Sequence, residues 1–413
     1  MLSLPVTFSL LLSYASSYDL DVRYIPAPDK TKEEVCNKEY VHITVSPLVS
    51  RRSIRNLEVS WGVKEAFPGD WIALYNHDPF NGSGTPIFNV TPTEPSGWSA
   101  TPYEEVRLED GPSFEALCLG FWAVYWRSMQ VIAKSCLQTN PTWMYDNKEL
   151  IGGLRLRELF LPGTHNSGAY LLKEAPFSES RFKKYVYTQD ERILNQLIHG
   201  ARYLDFRVGH HRNQWWLHHD FIRVRPLQDA VQDIKTFINN TREVVIVDFH
   251  RFLRDFDRNS SRHADFVEYL NSELSDIMVN PVQSWSTTLD NLMTSPRRLI
   301  VSYNHRPTVS RYRKYRLWEA VRQKWANVRD VESLWKYFAQ VITSKPWYPW
   351  AAMAQLTPSA WDVIINKLGG LRNVAHETNQ EVTRWFRGDW GEHCNIVALD
   401  FIRSSGVVDS AIH

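Results

Sequence analysis

Several histidine, aspartate and arginine side chains end successive apolar runs in the second half of the sequence. They are His165 and Asn166, Asp205 and Arg207, His218 and His219, Asp248 and His250, Tyr303 and His305, and Asp400. Two histidines can divide the work of a general base and a general acid near neutral pH. An arginine fork suits the paired oxygens of a phosphate and stabilises the charge that builds on them. The set therefore predicts a site for a phosphoester.

Other catalytic classes fit these residues less well. The sequence lacks the H-E-x-x-H pattern of metalloproteases, the glycine-rich phosphate loops of kinases and P-loop enzymes, and the G-x-S-x-G nucleophile elbow. A glycosidase would use two carboxyl groups from Asp205, Asp248 and Asp400, but it would leave the paired histidines and Arg207 without a role. A single histidine at a strand end is more often structural, so the convergence of several is what indicates a site.

These residues need a scaffold that brings strand ends together, and the sequence after about residue 150 predicts one. Amphipathic helix-like stretches separate apolar strand-like runs at residues 156–163, 201–209, 214–220, 243–252, 297–304, 350–356 and 394–402. This alternation is typical of parallel strands that are buried on both faces. With an eighth strand near Leu317, the pattern predicts a TIM-type (β/α)8 barrel, regular or distorted, with its site at the C-terminal ends of the strands.

Residues 20–140 carry a different pattern, in which short strands alternate with loops rich in Gly, Pro, Ser and Asp. Strand-like runs lie at residues 41–45, 54–63 and 69–75, and their spacing predicts an all-β sandwich. The stretch PGDWIALYNHDP (residues 68–79) resembles a segment of the immunoglobulin-like accessory domains attached to phosphoinositide enzymes. A linker near residues 140–149 would separate this accessory domain from a barrel domain at residues 150–413.

Length and charge narrow the function further. The chain has 413 residues, which exceeds what one hydrophobic core usually serves, so two domains are expected. Its 47 basic and 46 acidic residues leave a net charge of +1, so no global field attracts nucleic acid, and nucleic acid is not an expected partner. Apart from the extreme N-terminus, no apolar run reaches the roughly 20 residues of a membrane span, so membrane contact is expected to be peripheral.

The N-terminus and the cysteines bear on location. Residues 1–17 resemble a secretory signal peptide, which predicts a secreted protein; the alternatives are a frayed apolar end or a buried first strand, with a cytoplasmic or peripheral membrane location. Triplets typical of N-glycosylation begin at Asn81, Asn89, Asn239 and Asn259. One disulfide among Cys36, Cys118 and Cys136 would suit an extracellular domain, but the spacing leaves its pairing open.

Four ordered motifs resemble the X domain of phosphatidylinositol-specific phospholipase C: LPGTHNSGAY (161–170), ARYLDFRVG (201–209), WWLHHD (215–220) and EVVIVDFHRF (243–252). The resemblance covers residues 150–405, and in pattern it is nearest to short proteins that carry the X domain alone. It implies cleavage of phosphatidylinositol, or a related anionic lipid at a membrane surface, to diacylglycerol and inositol 1,2-cyclic phosphate. It also implies that His165 is the general base and His219 the general acid. The other implied catalytic residues are Arg207, which would hold the phosphate, Asp205, which would pair with Arg207 or with the acid, and Asp400, which would orient His165.

The resemblance also bears on metal binding. Arg207 stands where metal-independent members of the family carry an arginine and calcium-dependent members a carboxylate, so we expect no metal; calcium is the less favoured alternative. Asn166 and His250 stand where calcium-dependent members have ligands, and here they are predicted to contact the substrate. Asp220 follows the acid where glycine is usual, and a carboxylate there would raise the pKa of His219.

Later segments are expected to contact the head group and the lipid. Tyr303 and Trp318 are predicted either to stack on the inositol ring or to be aromatics of the core. RYRKYR (311–316) offers basic side chains, and KPWYPW (345–350) is the better interfacial loop, because Trp and Tyr favour the head-group layer. Two other functions stay open: a non-catalytic lipid- or protein-binding relative, and another barrel phosphodiesterase that acts on glycerophosphodiesters or sphingomyelin. The oligomeric state is not predicted.

Overall fold

The computed structural model describes residues 39–50, 54–81, 84–108, 111–171, 182–253, 256 and 261–413. The predicted signal peptide at residues 1–17, Cys36 and Asn259 lie outside the described residues.

The N-terminal strands form two antiparallel sheets. They are β1 (Tyr40–Val45), β2 (Asn56–Gly62), β3 (Asp70–Tyr75), β4 (Phe88–Val90), β5 (Ser96–Glu104), β6 (Cys118–Arg127) and β7 (Gln130–Gln138). One sheet has the order β1-β2-β5 and the other β4-β3-β6-β7. Both contribute to one apolar cluster, which includes Val59 of β2 and Tyr125 of β6. An immunoglobulin-like relationship stays a prediction, whereas a Cys118–Cys136 disulfide between β6 and β7 gives the pairing that sequence spacing left open.

The remaining strands build a mainly parallel sheet. They are β8 (Leu161–Thr164), β9 (Tyr203–His211), β10 (Gln214–His219), β11 (Ile222–Pro226), β12 (Val245–Leu253), β13 (Leu299–Tyr303), β14 (Leu317–Glu319), β15 (Arg322–Trp325), β16 (Trp350–Met353) and β17 (Ile396–Leu399). Eight of them follow the order β14-β13-β12-β9-β8-β17-β16-β15, with every neighbouring pair parallel. In the described part of the chain β14 and β15 do not pair with each other, so the sheet curls without closing.

The prediction that residues 214–220 form a barrel strand is wrong. β10 pairs antiparallel with both β9 and β11, so it belongs to a hairpin at the edge of the sheet. Arg212 and Asn213, between β9 and β10, have φ values of 47° and 60°, and two successive left-handed residues make the tight turn that sends the chain back. β15 takes the missing place among the parallel strands. Its sequence, RQKW, lacks the apolar run that would have marked it.

The described residues also form eleven α-helices. They are α1 (Trp143–Asp146), α2 (Lys148–Ile151), α3 (Ile193–Ile198), α4 (Leu227–Asn240), α5 (Ser261–Leu274), α6 (Leu289–Met293), α7 (Arg306–Arg311), α8 (Val331–Thr343), α9 (Ala360–Ile365), α10 (Leu371–Arg387) and α11 (Val407–Ile412). In α4 the apolar residues recur at helical spacing and are buried, from Leu227 through Ile234 to Ile238. The carboxylate of Asp330 accepts from the backbone N–H of Ser333 at 2.8 Å and caps the start of α8. None of the helices in these ranges has the length and hydropathy of a transmembrane span.

Candidate active site

A cavity of about 370 Å³ lies at the C-terminal ends of the parallel strands. Six of the nine predicted site residues line it: His165, Asp205, Arg207, His219, His250 and Asp400. They come from the segment after β8, from β9, β10 and β12, and from the residue after β17. Parallel strands bring their C-terminal ends to one edge, which is why residues as distant as His165 and Asp400 meet there.

The contacts of His165 determine which ring nitrogen carries its proton. Arg207 Nη2 lies 2.6 Å from His165 Nε2, and Asp400 Oδ1 lies 2.6 Å from His165 Nδ1. A guanidinium can only donate, so Nε2 must offer its lone pair, and Nδ1–H then donates to the carboxylate. His165 and Asp400 are 5% and 2% exposed, so water competes little for these bonds. The imidazole therefore holds its free lone pair on the nitrogen that faces Arg207, as a general base requires.

Asp205 lies on β9, which pairs with β8, and it contacts both Arg207 and the turn after β8. Its Oδ2 accepts from the backbone N–H of Asn166 at 3.0 Å, and its Oδ1 accepts from Gln323 Nε2 at 3.0 Å. Arg207 Nη2 lies 3.9 Å from Asp205 Oδ2. Burial alone would raise the pKa of Asp205, but Arg207 and the nearby histidines outweigh it and hold the pKa below its usual value. Asp205 is therefore an anion that anchors Arg207 and the turn after β8.

His219, the predicted acid, ends β10 and is partly buried. Burial and the Arg207 guanidinium lower its pKa, and the Asp220 carboxylate raises it as expected but does not outweigh them. Asp220 has φ of 47°, in the left-handed region that glycine adopts freely and aspartate tolerates. Its carboxylate accepts from Arg251 Nη1 at 3.1 Å and lies 3.8 Å from Arg207 Nη1. Asp220 therefore occupies a backbone conformation that would also suit the glycine expected from the resemblance, and it adds a negative charge at the cavity wall.

His250 adds a basic side chain to the cavity, beside Arg207 and Arg251. Its Nδ1 lies 3.2 Å from Asp248 Oδ2. Burial would lower the pKa of His250, but the hydrogen bond and the charge of Asp248, with the charge of Asp205, raise it above its ordinary value. Tyr203 holds Asp248 in place by donating its hydroxyl to the same Oδ2 at 2.8 Å. Arg207, Arg251 and His250 are the side chains of the cavity that could pair with an anionic ligand, and they lie among the carboxylates of Asp205, Asp220 and Asp400.

Three predicted substrate-binding residues lie elsewhere. Tyr303 is 1% exposed and its hydroxyl lies 2.7 Å from Nδ1 of His263, so the expectation that it stacks on a sugar ring is wrong. Trp318 is 2% exposed and donates from Nε1 to the carbonyl of Val279 at 3.0 Å, within a core cluster, so the same expectation is wrong for it. Asn166 is 1% exposed and does not line the cavity; its backbone, not its side chain, contacts Asp205.

Residues that were not predicted complete the cavity. Gln323 bridges Asp205 and the Tyr203 hydroxyl with contacts of 3.0 Å each. Trp325 packs edge-on against the His165 ring, with ring centroids 5.2 Å apart, and also lies under the Arg207 guanidinium. Both belong to β15, whose polar sequence showed no strand pattern, so no signal in the sequence pointed to them.

A calcium shell does not fit these residues. Both carboxylate oxygens of Asp205 already accept hydrogen bonds, and the Arg207 guanidinium occupies the space beside them. Calcium takes six to eight oxygen ligands. Within the described ranges, no group of three or more His, Cys, Asp or Glu side chains is arranged to hold a metal ion.

Comparisons with known proteins connect this geometry to a family. No family model matches the chain. The human PI-PLC X domain-containing protein 1 is 27% identical over 310 residues, which is 67% of this chain and 93% of that protein. The mouse PI-PLC X domain-containing protein 3 is 24% identical over 301 residues, covering 65% and 92%. The chain is thus similar to PI-PLC X domain-containing proteins over about two thirds of its length.

The fold of the chain also has a counterpart among solved structures. A phosphatidylinositol-specific phospholipase C from Staphylococcus aureus, with an incorporated pentafluoro-Phe, superimposes with a TM-score of 0.52. The two share 14% sequence identity, and the match covers 65% of this chain and 97% of the bacterial one. At this identity the likeness concerns the fold alone.

Proposed function

We propose that the protein is a phosphoric diester hydrolase that cleaves phosphatidylinositol to diacylglycerol and inositol 1,2-cyclic phosphate by general acid–base catalysis without a metal ion. The observation that carries the proposal is the His165 ring, whose lone pair is directed at Arg207 and whose Nδ1–H is held by Asp400. This is a base that a phosphate-binding cation covers when no substrate is bound.

Substrate binding would uncover the base. The phosphate oxygens attract the Arg207 guanidinium away from His165 Nε2, because a charge-assisted bond to an anion is stronger than one to a neutral ring nitrogen. The free lone pair then takes the proton of the inositol 2-hydroxyl, and the 2-oxygen attacks phosphorus. His219 gives a proton to the departing diacylglycerol oxygen. Asp400 stabilises the imidazolium that forms on His165.

The pKa of His219 is lowered by burial and by charged groups of the protein itself. Arg207 and Arg251 add to the effect of burial. A bound phosphodiester carries one negative charge, which favours the protonated imidazole and so raises its pKa toward the working range of an acid. His219 would thus become protonated when the substrate binds.

The lowered pKa of His219 also favours a second candidate function. If the substrate charge does not restore the proton to His219, the protein binds the lipid without turnover. Such a non-catalytic relative would still use Arg207 and His250 to hold an anionic head group.

Exposed apolar side chains lie next to residues that line the cavity. Helix α9 begins shortly after the cavity-lining segment 355–358 and leaves Trp361, Ile364 and Ile365 63%, 47% and 45% exposed. Phe221, next to the cavity-lining Asp220, is 70% exposed. The KPWYPW segment also exposes Trp347, but it precedes β16 and therefore lies at the N-terminal ends of the strands, away from the cavity. We propose that the α9 side, and not KPWYPW, meets the membrane.

The test is the release of water-soluble inositol phosphate from phosphatidylinositol vesicles in the presence of a chelator. The wild type should release cyclic phosphate, His165→Ala should release at least about 100-fold less, and His393→Ala, an exposed histidine outside the cavity, should match the wild type. Equal release by the wild type and His165→Ala would refute catalysis. Binding to these vesicles without release would support the second candidate, and release from choline or glycerol head groups instead would indicate another phosphodiesterase.

A further inference from the structure

A buried group of charges joins the N-terminal sheets to the parallel sheet. We call it the interdomain clasp, and it consists of Arg55, Glu105, Asp190, Glu191, Arg372 and Arg403. Arg55 directly precedes β2 and Glu105 directly follows β5, whereas the other four come from segments of the C-terminal part of the chain. Their side chains are 14% exposed or less. The three arginines balance the three carboxylates, so no net charge is buried.

Arg55 is the member that links the two parts. It donates to both carboxylate oxygens of Glu105, at 2.8 and 2.5 Å, and to Glu191 at 3.1 Å, and it also contacts Asp190. Arg403 donates to Glu105 and Glu191 at 3.0 Å each, so the two arginines share the same acids. Burial would raise the pKa of Asp190 and Glu191, but the surrounding arginines lower it, so both are ionised. Without Arg55, two adjacent buried anions would lose a shared cation.

On one side, the clasp is adjacent in sequence to a residue that hydrogen-bonds to the segments of the proposed base. Gln189, next to Asp190, donates from Nε2 to the backbone carbonyl of His165 at 3.1 Å and to that of Leu399 at 2.8 Å. Its Oε1 accepts from the backbone N–H of Ile402 at 3.2 Å. A single side chain thus bonds to both segments that carry the His165–Asp400 pair.

On the other side, clasp residues lie close to Asp400, in sequence or through contact with its neighbour Phe401. Arg403 is three residues beyond Asp400, and the Arg372 guanidinium lies 4.6 Å above the ring of Phe401. Phe401 has φ of 49°, a left-handed conformation that a phenylalanine adopts only under constraint from its surroundings. Its N–H donates to the carbonyl of Thr188 at 2.7 Å. The clasp therefore contacts the segments on both sides of the base.

We propose that Arg55 of the N-terminal domain is a positioning residue, which holds the His165–Asp400 pair in register through Asp190, Glu191 and Gln189. This assigns the N-terminal domain a role in catalysis without a contact to substrate. The catalytic readout rests on the proposed function, whereas the geometry of the pair can be measured independently of it.

The experiment compares the full chain with Arg55→Met, Arg55→Lys and Arg127→Met. Arg127 bonds Asp70 within the N-terminal sheets at 3.0 Å and lies outside the clasp, so it controls for damage to that domain. The Nδ1 proton of His165, whose bond to Asp400 is 2.6 Å long, is observed by NMR with ring-labelled histidine and assigned by its loss in His165→Ala. Turnover of phosphatidylinositol vesicles gives kcat and KM for the same variants, alone and combined with Asp400→Asn.

In Arg55→Met we expect the Nδ1 proton signal to move upfield or disappear, and kcat to fall about tenfold with KM unchanged. Arg55→Lys should recover part of both, and it serves as the test if the methionine variant does not fold. In the Asp400→Asn background the loss from Arg55→Met should vanish, because the pair that it positions is already broken. A wild-type signal and kcat in Arg55→Met, or a full tenfold loss in both backgrounds, would overturn the proposal. If the wild type proves inactive, the NMR signal alone decides it.

Discussion

Replacing Asp400 by asparagine tests the proposed state of His165 most directly. The carboxylate accepts from His165 Nδ1 at 2.6 Å, and both residues are nearly inaccessible to water. An asparagine of the same shape loses the negative charge and can turn its amide N–H₂ toward Nδ1. The proton would then move to Nε2, where it would face the Arg207 donor that lies 2.6 Å away.

The expected loss in kcat follows from this change of tautomer. The base would lack its lone pair at the reacting nitrogen, and the imidazolium would lose its counter-charge in a water-poor site. An equivalent carboxylate-to-amide change at another buried imidazole costs about 10⁴-fold in rate, so we expect kcat to fall about 10³–10⁴-fold, or about 4–5.5 kcal/mol of transition-state stabilisation. KM should change little, because Asp400 does not hold the phosphate.

The assay measures kcat and KM for cyclic phosphate release, with thermal unfolding as a check on the fold. Asp409→Asn is the matched control, because Asp409 pairs with Arg387 away from the cavity. It should lower stability without lowering kcat by more than about twofold, since it removes only a structural ion pair. A folded Asp400→Asn variant with kcat within tenfold of the wild type would refute the assignment of the tautomer.

Three further predictions follow from the same geometry. Asp220→Asn removes the charge that raises the pKa of His219, so in the enzyme–substrate complex the protonated acid is lost at lower pH and the descending limb of the kcat profile moves to lower pH; an unmoved limb contradicts this. Arg207→Lys should lower kcat/KM about 100-fold in chelator, because one ammonium cannot reproduce the fork; recovery on addition of calcium would argue for a metal-dependent reaction. Trp361→Ala should weaken sedimentation with phosphatidylinositol vesicles about tenfold, whereas Trp347→Ala, at the opposite ends of the strands, should not; equal losses would reject the α9 surface.

Local patterns in the sequence were enough to predict six of the side chains that meet in the cavity. Side-chain type and hydrophobic periodicity are properties of short segments, so the alternation of strands and helices and the polar residues after each apolar run were readable without a structure. His165, Arg207 and Asp400 were found in this way, and the structure brings them together. Tyr303 and Trp318 were misplaced because a buried aromatic and a ligand-facing one look the same in a sequence.

The sequence by itself thus determined which groups could act on a phosphoester, and the tertiary structure decided how they are held. Gln323 meets Asp205 across 118 residues and Arg55 meets Asp190 across 135, so no local pattern records either contact. The same is true of the open edge between β14 and β15, which depends on how the whole sheet curls. Such features depend on how segments that are far apart in the sequence pack against each other. No short stretch of sequence contains the information that would predict them.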